Sequence, residues 1–551
     1  MKHFFITITL VILVSLQSSN ACTNLLVTKG ASAENASMIS YAADSHTLYG
    51  ELYHWPAKTY PKGAKLKVYE WDTGKYLGEI DQVQQTYSVV GNMNEYAVSI
   101  GETTYGGRHD LIDTTAIMDY GSLMYIALQR SKTAREAIHT MTSLVKEYGY
   151  YSSGESFSIA DPNEVWIMEM ISKGPFEKGA VWVAKRIPDG YVCAHANQAR
   201  ITTIDFKDKK NCLYAPDVID FARKMKYFDG NDKDFDFSAA YAPLDYGAVR
   251  FCDARVWSFF NHINPEQGEK DLPYIMGETN ERMPLWIKPD KKISYRDVQN
   301  YMRDHFEGTP LDMTKDAGAG SFALPYRWRP LTWEVDSVEY FNERAIATQQ
   351  TGFSFVAQMR GEGYPTPMKG ILWFGVDDAA TSVYVPIYAG IKEVPECFKV
   401  GNGDMLTFTW DAAFWVFNWV SNWAYTRYSY MIKDIKPVQN ELENYYQIAV
   451  DAADEEAKNI FASNKTEFYD YITNFSSNQS KLMMDKWTKL GQYLLVKYMD
   501  GNIKQEKDGK FMRNPYGLPE YPDQPGYSDE YYRDVVKSAG ENLKMREVPN
   551  E

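Results

Sequence analysis

The sequence lacks several features that would place it in a common class of protein. No stripe of Lys and Arg side chains is present, and the net charge of −15 is spread along the chain, which argues against a nucleic-acid partner. The zinc-protease pattern H-E-x-x-H, the phosphate-binding pattern G-x-x-x-x-G-K and the G-x-S-x-G elbow are also absent. With 551 residues, 44% of them apolar, the chain is nevertheless long enough for a large core.

Cysteine is scarce, with five in the whole chain and no C-x-x-C pair. A structural zinc site is therefore not expected, and no other metal-ligand spacing is recognisable, so we expect no metal and no cofactor. The sequence leaves open whether Cys193, Cys212, Cys252 and Cys397 form disulfides or are buried as free thiols.

The remaining cysteine, Cys22, is the first in the chain and follows its only long apolar run. Residues 4–16 (FFITITLVILVSL) are too few to span a bilayer, which takes about 20 residues, but they fit a secretory signal. The next residues, QSSNA, place the small Ser19 and Ala21 where signal peptidase requires them. The sequence therefore predicts that residues 1–21 are removed and that the mature protein, periplasmic or extracellular, begins at Cys22 without a membrane span.

A lipoprotein signal also ends at a cysteine. Such signals usually have Leu three residues before the cut, where this chain has Ser19. The two outcomes exclude each other, because an acylated Cys22 cannot be a nucleophile. The alternative to an enzyme is therefore a lipidated surface protein anchored through Cys22.

Strong turn signals divide the first part of the mature chain into hairpins. The turns GNMNE, DPNE and PDG separate predicted strands within residues 87–100, 156–170 and 181–196. Two helices precede the second hairpin, and the second helix opens with a capping box at Thr133 and Glu136. Antiparallel hairpins packed against helices predict an α+β domain, which a later hairpin within residues 371–388 joins.

The C-terminal part has a helical pattern. Tryptophans recur every four residues at 415, 419 and 423, which predicts a helix packed on the core, and further helices are expected at residues 434–458 and 481–498, with Pro437 near the start of the first. We expect a catalytic domain over residues 22–400, a helical region over 401–505 packed on it, and a tail over 506–551.

A mature N-terminal cysteine has two useful groups on one residue. In model peptides the pKa of an α-amine is about 7.7–8.0 and that of a thiol about 8.5, so the amine can take the thiol proton near neutrality. The thiolate then attacks an amide carbonyl, and water hydrolyses the resulting thioester. A papain-like Cys–His pair is the competing mechanism, although none of the eight histidines, among them His46, His109 and His195, lies in a local signature of a cysteine protease.

Several segments resemble a known family when taken in order. They are CTNLLVTKGAS from Cys22, GNMNEYAVSIGETTYGG at 91–107, GESFSIADPNEVWIMEM at 154–170, RDHFEGTPLD at 303–312 and TSVYVPIYAG at 381–390. Together they are similar to the dipeptidases A of lactic-acid bacteria, with penicillin V acylases and bile salt hydrolases as distant relatives. The resemblance implies an N-terminal-nucleophile hydrolase with an αββα sandwich and, here, a helical C-terminal extension.

The resemblance also implies roles for individual residues. Cys22 is the nucleophile, Asp44 holds its α-amine, and Asn197 donates to the oxyanion. The remaining two are Arg255 near the nucleophile and Thr103 as a second oxyanion contact.

Two positions are less clear from the resemblance. Arg250 is an alternative to Arg255. Tyr41 stands where many family members have an arginine, three residues before the aspartate, so the site lacks a cation that would lower the pKa of the thiol unless another arginine replaces it.

Two enzymatic functions share this chemistry. The first is a dipeptidase acting on short peptides, and the second is an acyl-amide hydrolase of the penicillin V acylase or bile salt hydrolase type. The long helical C-terminal region favours the dipeptidases, because the acylases are typically shorter. The sequence does not determine the oligomeric state, and a homo-oligomer is compatible with it.

Overall fold

The computed structural model describes residues 21–546 of the chain. The predicted signal peptide, apart from Ala21, and the last five residues of the predicted tail lie outside the described residues. The strands, in chain order, are β1 Asn24–Val27, β2 Ser37–Asp44, β3 His54–Trp55, β4 Lys58–Thr59, β5 Lys65–Tyr69, β6 Tyr76–Asp81, β7 Gln85–Thr86, β8 Val89–Val90, β9 Met93–Asn94, β10 Ser99–Gly106, β11 Gly154–Ala160, β12 Val165–Ser172, β13 Ala180–Arg186, β14 Val192–His195, β15 Cys212–Tyr214, β16 Trp286–Ile287, β17 Thr332–Val335, β18 Val338–Phe341, β19 Thr351–Met359, β20 Gly370–Val376, β21 Val385–Tyr388, β22 Glu506–Lys507 and β23 Lys510–Phe511.

Helices account for most of the remaining regular structure. They are α1 Tyr120–Arg130, α2 Ala134–Tyr148, α3 Val218–Lys224, α4 Phe237–Tyr241, α5 Ala254–Ile263, α6 Pro265–Ile275, α7 Tyr295–Tyr301, α8 Ala413–Tyr425, α9 Tyr428–Ser463, α10 Lys465–Tyr498 and α11 Asp529–Ala539. None of the helices within residues 21–546 combines the length and the apolarity needed to cross a membrane.

Two antiparallel sheets form the centre of the molecule. The seven-stranded sheet has the order β16-β14-β1-β2-β19-β20-β21, and the eight-stranded sheet has the order β15-β13-β12-β11-β10-β9-β8-β3. Strand β2 packs against β10 and β11 of the other sheet, while α1 and α2 pack on the eight-stranded sheet and α5, α7, α8, α9 and α10 on the seven-stranded one. The predicted α+β class is confirmed, with helices on the outer face of each sheet.

The turn signals predicted some of the hairpins and not others. Strands β11 and β12 are antiparallel neighbours on either side of DPNE, and the later pair β20–β21 joins the sheet that contains β1, as expected. The other two predicted hairpins were wrong. Strand β9 lies between β8 and β10 in the sheet, within the predicted turn GNMNE, and β13 and β14, on either side of PDG, belong to different sheets. Helix α2 begins after Thr133, whose side chain accepts from the amide of Glu136, and ends at Gly149, which has a φ of 80°. A left-handed φ of this kind favours glycine.

The two long C-terminal helices extend beyond the predicted bounds. Helix α9 begins at Tyr428 instead of Asp434, so Pro437 lies inside it and the expectation of a proline near its start was wrong. Helix α10 begins at Lys465, after the cap Asn464, instead of at Lys481. The helical period of α10 was missed because its buried face contains Ser, Thr and Gln as well as apolar side chains. The predicted domain boundaries at residues 400 and 505 stay predictions.

Candidate active site

Cys22 lies two residues before strand β1, and Thr23 between them still pairs with Ala42 of β2. Its side chain is buried, and its Sγ is 3.5 Å from Oε1 of Glu102 and 3.8 Å from the hydroxyl of Tyr41. Burial and the nearby carboxylates of Glu102 and Asp44 raise the pKa of this thiol well above its usual value. All five cysteines are free thiols in this structure. The sequence left open whether four of them form disulfides, and in this structure they do not.

A pair of buried carboxyl groups lies beside the thiol. Glu102 accepts a hydrogen bond of 2.5 Å from Tyr41 through Oε1, and its Oε2, like the Oε2 of the neighbouring Glu155, is buried without a hydrogen-bond partner among residues 21–546. Burial raises the pKa of Glu102 to about 7 and that of Glu155 well above its usual value. The two carboxyl groups interact, so they lose their protons in steps that belong to the pair, and Glu102, whose pKa is raised less, ionises first.

Asp44 ends strand β2 and is held by residues far away in the sequence. Its carboxylate forms an ion pair with Arg344, from the loop before β19, and accepts a hydrogen bond of 2.6 Å from Thr351. Arg344 also donates to the carbonyl of Ala21 at 2.8 Å, and the amide of Ala21 donates to the main-chain oxygen of Asp44 at 2.9 Å. Asp44 and Arg344 therefore flank the peptide bond that joins Ala21 to Cys22.

Arg255 fixes the main chain on the other side of Cys22. It lies at the start of α5, directly after a π-helical segment, a feature that is frequent at functional sites. Its Nη1 donates to the carbonyl of Cys22 at 2.6 Å and to Oγ1 of Thr23 at 2.7 Å, and its Nη2 donates to the carbonyl of Ala196 at 3.1 Å and to Oδ1 of Asn197 at 2.9 Å. Burial lowers the pKa of Arg255 to about 10, which still leaves it charged at neutral pH.

Asn197 follows strand β14 in the left-handed region, with a φ of 63°. Asparagine tolerates this conformation better than most residues. Its Oδ1 accepts from Arg255, and its Nδ2 donates to the carbonyl of Thr104 at 2.7 Å, so the orientation of the amide group is fixed at both ends. Arg255 thus connects Asn197 directly to the main chain of Cys22.

Thr103 is engaged with a histidine. Its hydroxyl lies 2.7 Å from Nδ1 of His195, and the hydroxyl of Ser158 lies 2.7 Å from Nε2 of the same ring. Burial lowers the pKa of His195 to about 3, so the ring is neutral near pH 7. Both ring nitrogens are already hydrogen-bonded, which argues against His195 as a base for Cys22. His46 and His109 are exposed side chains.

Arg250, the alternative to Arg255, pairs with Glu343 at 2.5 Å instead of with the main chain of Cys22. The structure therefore brings Cys22, Asp44, Asn197 and Arg255 into one connected arrangement, through Arg344 and the main chain. Within residues 21–546, no group of three or more His, Cys, Asp or Glu side chains is arranged to hold a metal ion.

Comparison with known proteins identifies the family of the chain. The pattern of peptidase family C69 matches residues 49–441. The chain belongs to peptidase family C69. It is therefore a peptide hydrolase, and the resemblance seen in the sequence is confirmed. The match includes Asn197, Arg255 and Arg344 and begins after Cys22 and Asp44.

Curated proteins similar to this C69 peptidase are named as dipeptidases. A probable dipeptidase of Salmonella dublin is 25% identical over 390 residues, which cover 68% of this chain and 82% of that protein. A probable dipeptidase of Latilactobacillus sakei is 25% identical over 69% of this chain and 76% of its own length. Probable dipeptidase B of Streptococcus pyogenes serotype M1 is 24% identical over 70% of this chain and 75% of its own.

Three arginines of this C69 peptidase are grouped around Asp44. Burial together with the positive charges of Arg344 and Arg255 lowers the pKa of Arg329 to about 10. A small cavity of about 20 Å³ adjoins this group and is lined by Arg329, Arg344 and Glu343 among others. The Nε of Arg344 is buried without a partner among the described residues. Positive charge is therefore concentrated beside the Ala21–Cys22 bond, although Tyr41 stands where many family members have an arginine.

Two residues at the site were missed by sequence reasoning. Arg344 lies in a loop without a motif, and nothing local indicates it. Glu102 had a signal, because strand alternation places it on the same face as the buried Val98 and Ile100, and a carboxylate at an inward position is unusual.

Proposed function

We propose that the mature protein is a cysteine-type dipeptidase that hydrolyses short peptides through a thioester on Cys22. The observation that carries this proposal is the position of Asp44 and Arg344 on the Ala21–Cys22 peptide bond. A cut at this bond creates an α-amine on Cys22 beside a buried carboxylate. The names of the relatives support peptides, and dipeptides in particular, as the substrate class.

The cut changes the electrostatics of the thiol. In the chain that still includes Ala21, burial and two carboxylates raise the pKa of Cys22, and its nitrogen is an amide without basicity. Removal of Ala21 adds a titratable amine next to the thiol, and its protonated form lowers the pKa of the thiol. Asp44 stabilises that protonated form. The uncut chain is therefore expected to be inert.

Each proton in the reaction has a stated origin and destination. The free α-amine of Cys22 takes the thiol proton, and the thiolate sulfur bonds to the scissile carbonyl carbon. The oxyanion that develops accepts a hydrogen bond from the side-chain amide of Asn197, whose position Arg255 fixes. The protonated amine then gives its proton to the leaving nitrogen. Water attacks the thioester and loses a proton to the amine. The intermediate then releases the acid, and the amine returns that proton to the departing thiolate sulfur.

The fold and the location of the protein belong to the same proposal. The arrangement of helices outside two facing sheets supports an αββα N-terminal-nucleophile hydrolase. Export by a cleaved signal supplies the required N-terminus, because the predicted cut falls directly before Cys22. We therefore propose a periplasmic or extracellular enzyme.

A substrate panel tests this function. Protein whose N-terminus has been confirmed as Cys22 by sequencing is incubated with dipeptides, tripeptides, penicillin V and glycocholate. We expect hydrolysis of the dipeptides. Turnover of penicillin V or glycocholate without turnover of any peptide would instead establish the acyl-amide hydrolase.

A further inference from the structure

Glu102 is a buried carboxylate for which the proposed reaction has no use. Its Oε1 lies 3.5 Å from Sγ of Cys22, and its side chain is 1% exposed. A negative charge at this distance opposes formation of the thiolate. A neutral side chain at this position would favour the thiolate, so the presence of a carboxylate requires another explanation.

The geometry of a short peptide supplies that reason. In a peptide with a free amino terminus, the α-nitrogen of the first residue is roughly 2.5 Å from the carbonyl carbon of the same residue. Attack begins when the sulfur is about 3–3.5 Å from that carbon. The ammonium group must then lie within a few ångströms of Sγ, which is the region that Glu102 occupies.

We propose that Glu102 binds the α-ammonium group of the substrate and thereby selects peptides with a free amino terminus. The inference rests on the proposed function, because it assumes that Cys22 attacks the first peptide bond. Tyr41 holds the carboxylate in place through its hydrogen bond, and Glu102 is the member of the pair with Glu155 that ionises first.

The same contact connects substrate binding to reactivity. When the ammonium pairs with Glu102, the negative charge that opposes the thiolate is neutralised. A peptide with an acylated amine has no positive charge at this position, so the negative charge of Glu102 stays buried without a countercharge. Sites of this kind reject the analogue that lacks the recognised group strongly, because a buried polar group is left unpaired.

Substrate pairs isolate the effect of Glu102. L-alanyl-L-alanine and its N-acetyl derivative are compared in the mature wild type and in Glu102→Gln, which retains the shape of the side chain. We expect kcat/KM for the free dipeptide to fall by about 100-fold or more in the variant, while the low rate on the acetylated dipeptide stays the same or rises. Glu102→Asp should restore part of the loss.

Glu169→Gln is the matched control. Glu169 is also a buried carboxylate of the eight-stranded sheet, but it accepts hydrogen bonds from the main chain at Arg200 and Ile201. Its replacement is expected to lower the melting temperature without changing the ratio of the two rates. An equal loss on both dipeptides in Glu102→Gln would overturn the proposal, since it would mean that Glu102 supports the thiol or the fold.

Binding measured without turnover separates this inference from the proposed function. Mature Cys22→Ala and the double variant Cys22→Ala, Glu102→Gln are titrated calorimetrically with the same two dipeptides. Preference of Cys22→Ala for the free dipeptide, lost in the double variant, supports the proposal. Equal affinity of Cys22→Ala for both dipeptides contradicts it. Absence of hydrolysis by the wild type despite that preference would contradict the dipeptidase function alone.

Discussion

The guanidinium group of Arg344 pairs with the buried carboxylate of Asp44, 300 residues earlier in the chain. Through the same nitrogen it donates to the carbonyl of Ala21, the residue directly before Cys22. A loop thus supplies the positive charge that the sequence lacks at Tyr41, and Tyr41 is free to bind Glu102 instead.

Replacement of Arg344 should lower both stability and turnover. In Arg344→Met, Asp44 retains Thr351 but loses its buried countercharge, and removal of one partner from such a pair costs about 3–5 kcal/mol. Urea unfolding measures this loss, and the turnover number of the remaining folded protein should fall because Asp44 no longer holds the amine. Arg250→Met breaks the buried pair with Glu343, so it should lower stability alone. Equal turnover in both variants would show that Arg344 is only structural.

Asn197 should act mainly on the transition state. Asn197→Gly removes the amide donor and retains the left-handed φ of 63° without added strain. Loss of one oxyanion donor typically costs about 100- to 1000-fold in turnover, or roughly 3–4 kcal/mol. Steady-state kinetics of the mature variant should show this loss in kcat with little change in KM. A drop in melting temperature of several degrees with less than about a threefold loss of kcat would make Asn197 a structural residue.

A residue in front of Cys22 should prevent activity. Protein that begins at Ala21 has the thiol but no α-amine on Cys22, and it retains the contacts of Ala21 with Asp44 and Arg344. We expect no hydrolysis until an aminopeptidase removes Ala21, with activity rising in proportion to the fraction cut, as measured by intact mass. Full activity of the uncut protein would mean that another group, such as a histidine, is the base.

His195 should make the fold sensitive to acid. Its pKa falls from about 6.5 in the unfolded chain to about 3 in the folded one, so the unfolded state binds the additional proton between these values. The stability that depends on a neutral His195 is therefore complete above pH 6.5 and decreases as the pH falls toward 3, by about 3 kcal/mol at pH 4.5. Urea unfolding of wild type and His195→Gln at pH 7 and pH 4.5 isolates it. The wild type should lose more stability than the variant between the two, and equal losses would contradict a neutral buried ring.

The parts of the fold that the sequence predicted are those with local causes. The turn between β11 and β12 and the cap of α2 at Thr133 depend on residues next to each other in the chain. The long helix α10 was only partly predicted, because Ser476 and Gln479 face the core and interrupt its apolar pattern. Packing against the rest of the molecule, which the pattern does not contain, determines where such a helix begins.

The candidate site also has residues that the sequence indicates and contacts that it does not. Cys22 is indicated by the signal directly before it, and the roles of Asp44, Asn197 and Arg255 came from resemblance. Their contacts depend on tertiary structure: Arg255 reaches Cys22 across 233 residues, and Arg344 reaches Asp44 across 300. Contacts between residues so far apart in the chain produce no periodic pattern in a single sequence.

During turnover, Cys22 is expected to form a thioester with the acyl part of the substrate. Mature protein is mixed with a dipeptide ester or a slow dipeptide, quenched in acid during turnover and digested for mass spectrometry. We expect the N-terminal peptide to gain the mass of the first amino-acid residue on Cys22, hydroxylamine to remove it, and Cys22→Ala to gain nothing. Turnover at a normal rate without any adduct on Cys22, or an adduct on another residue, would contradict this expectation.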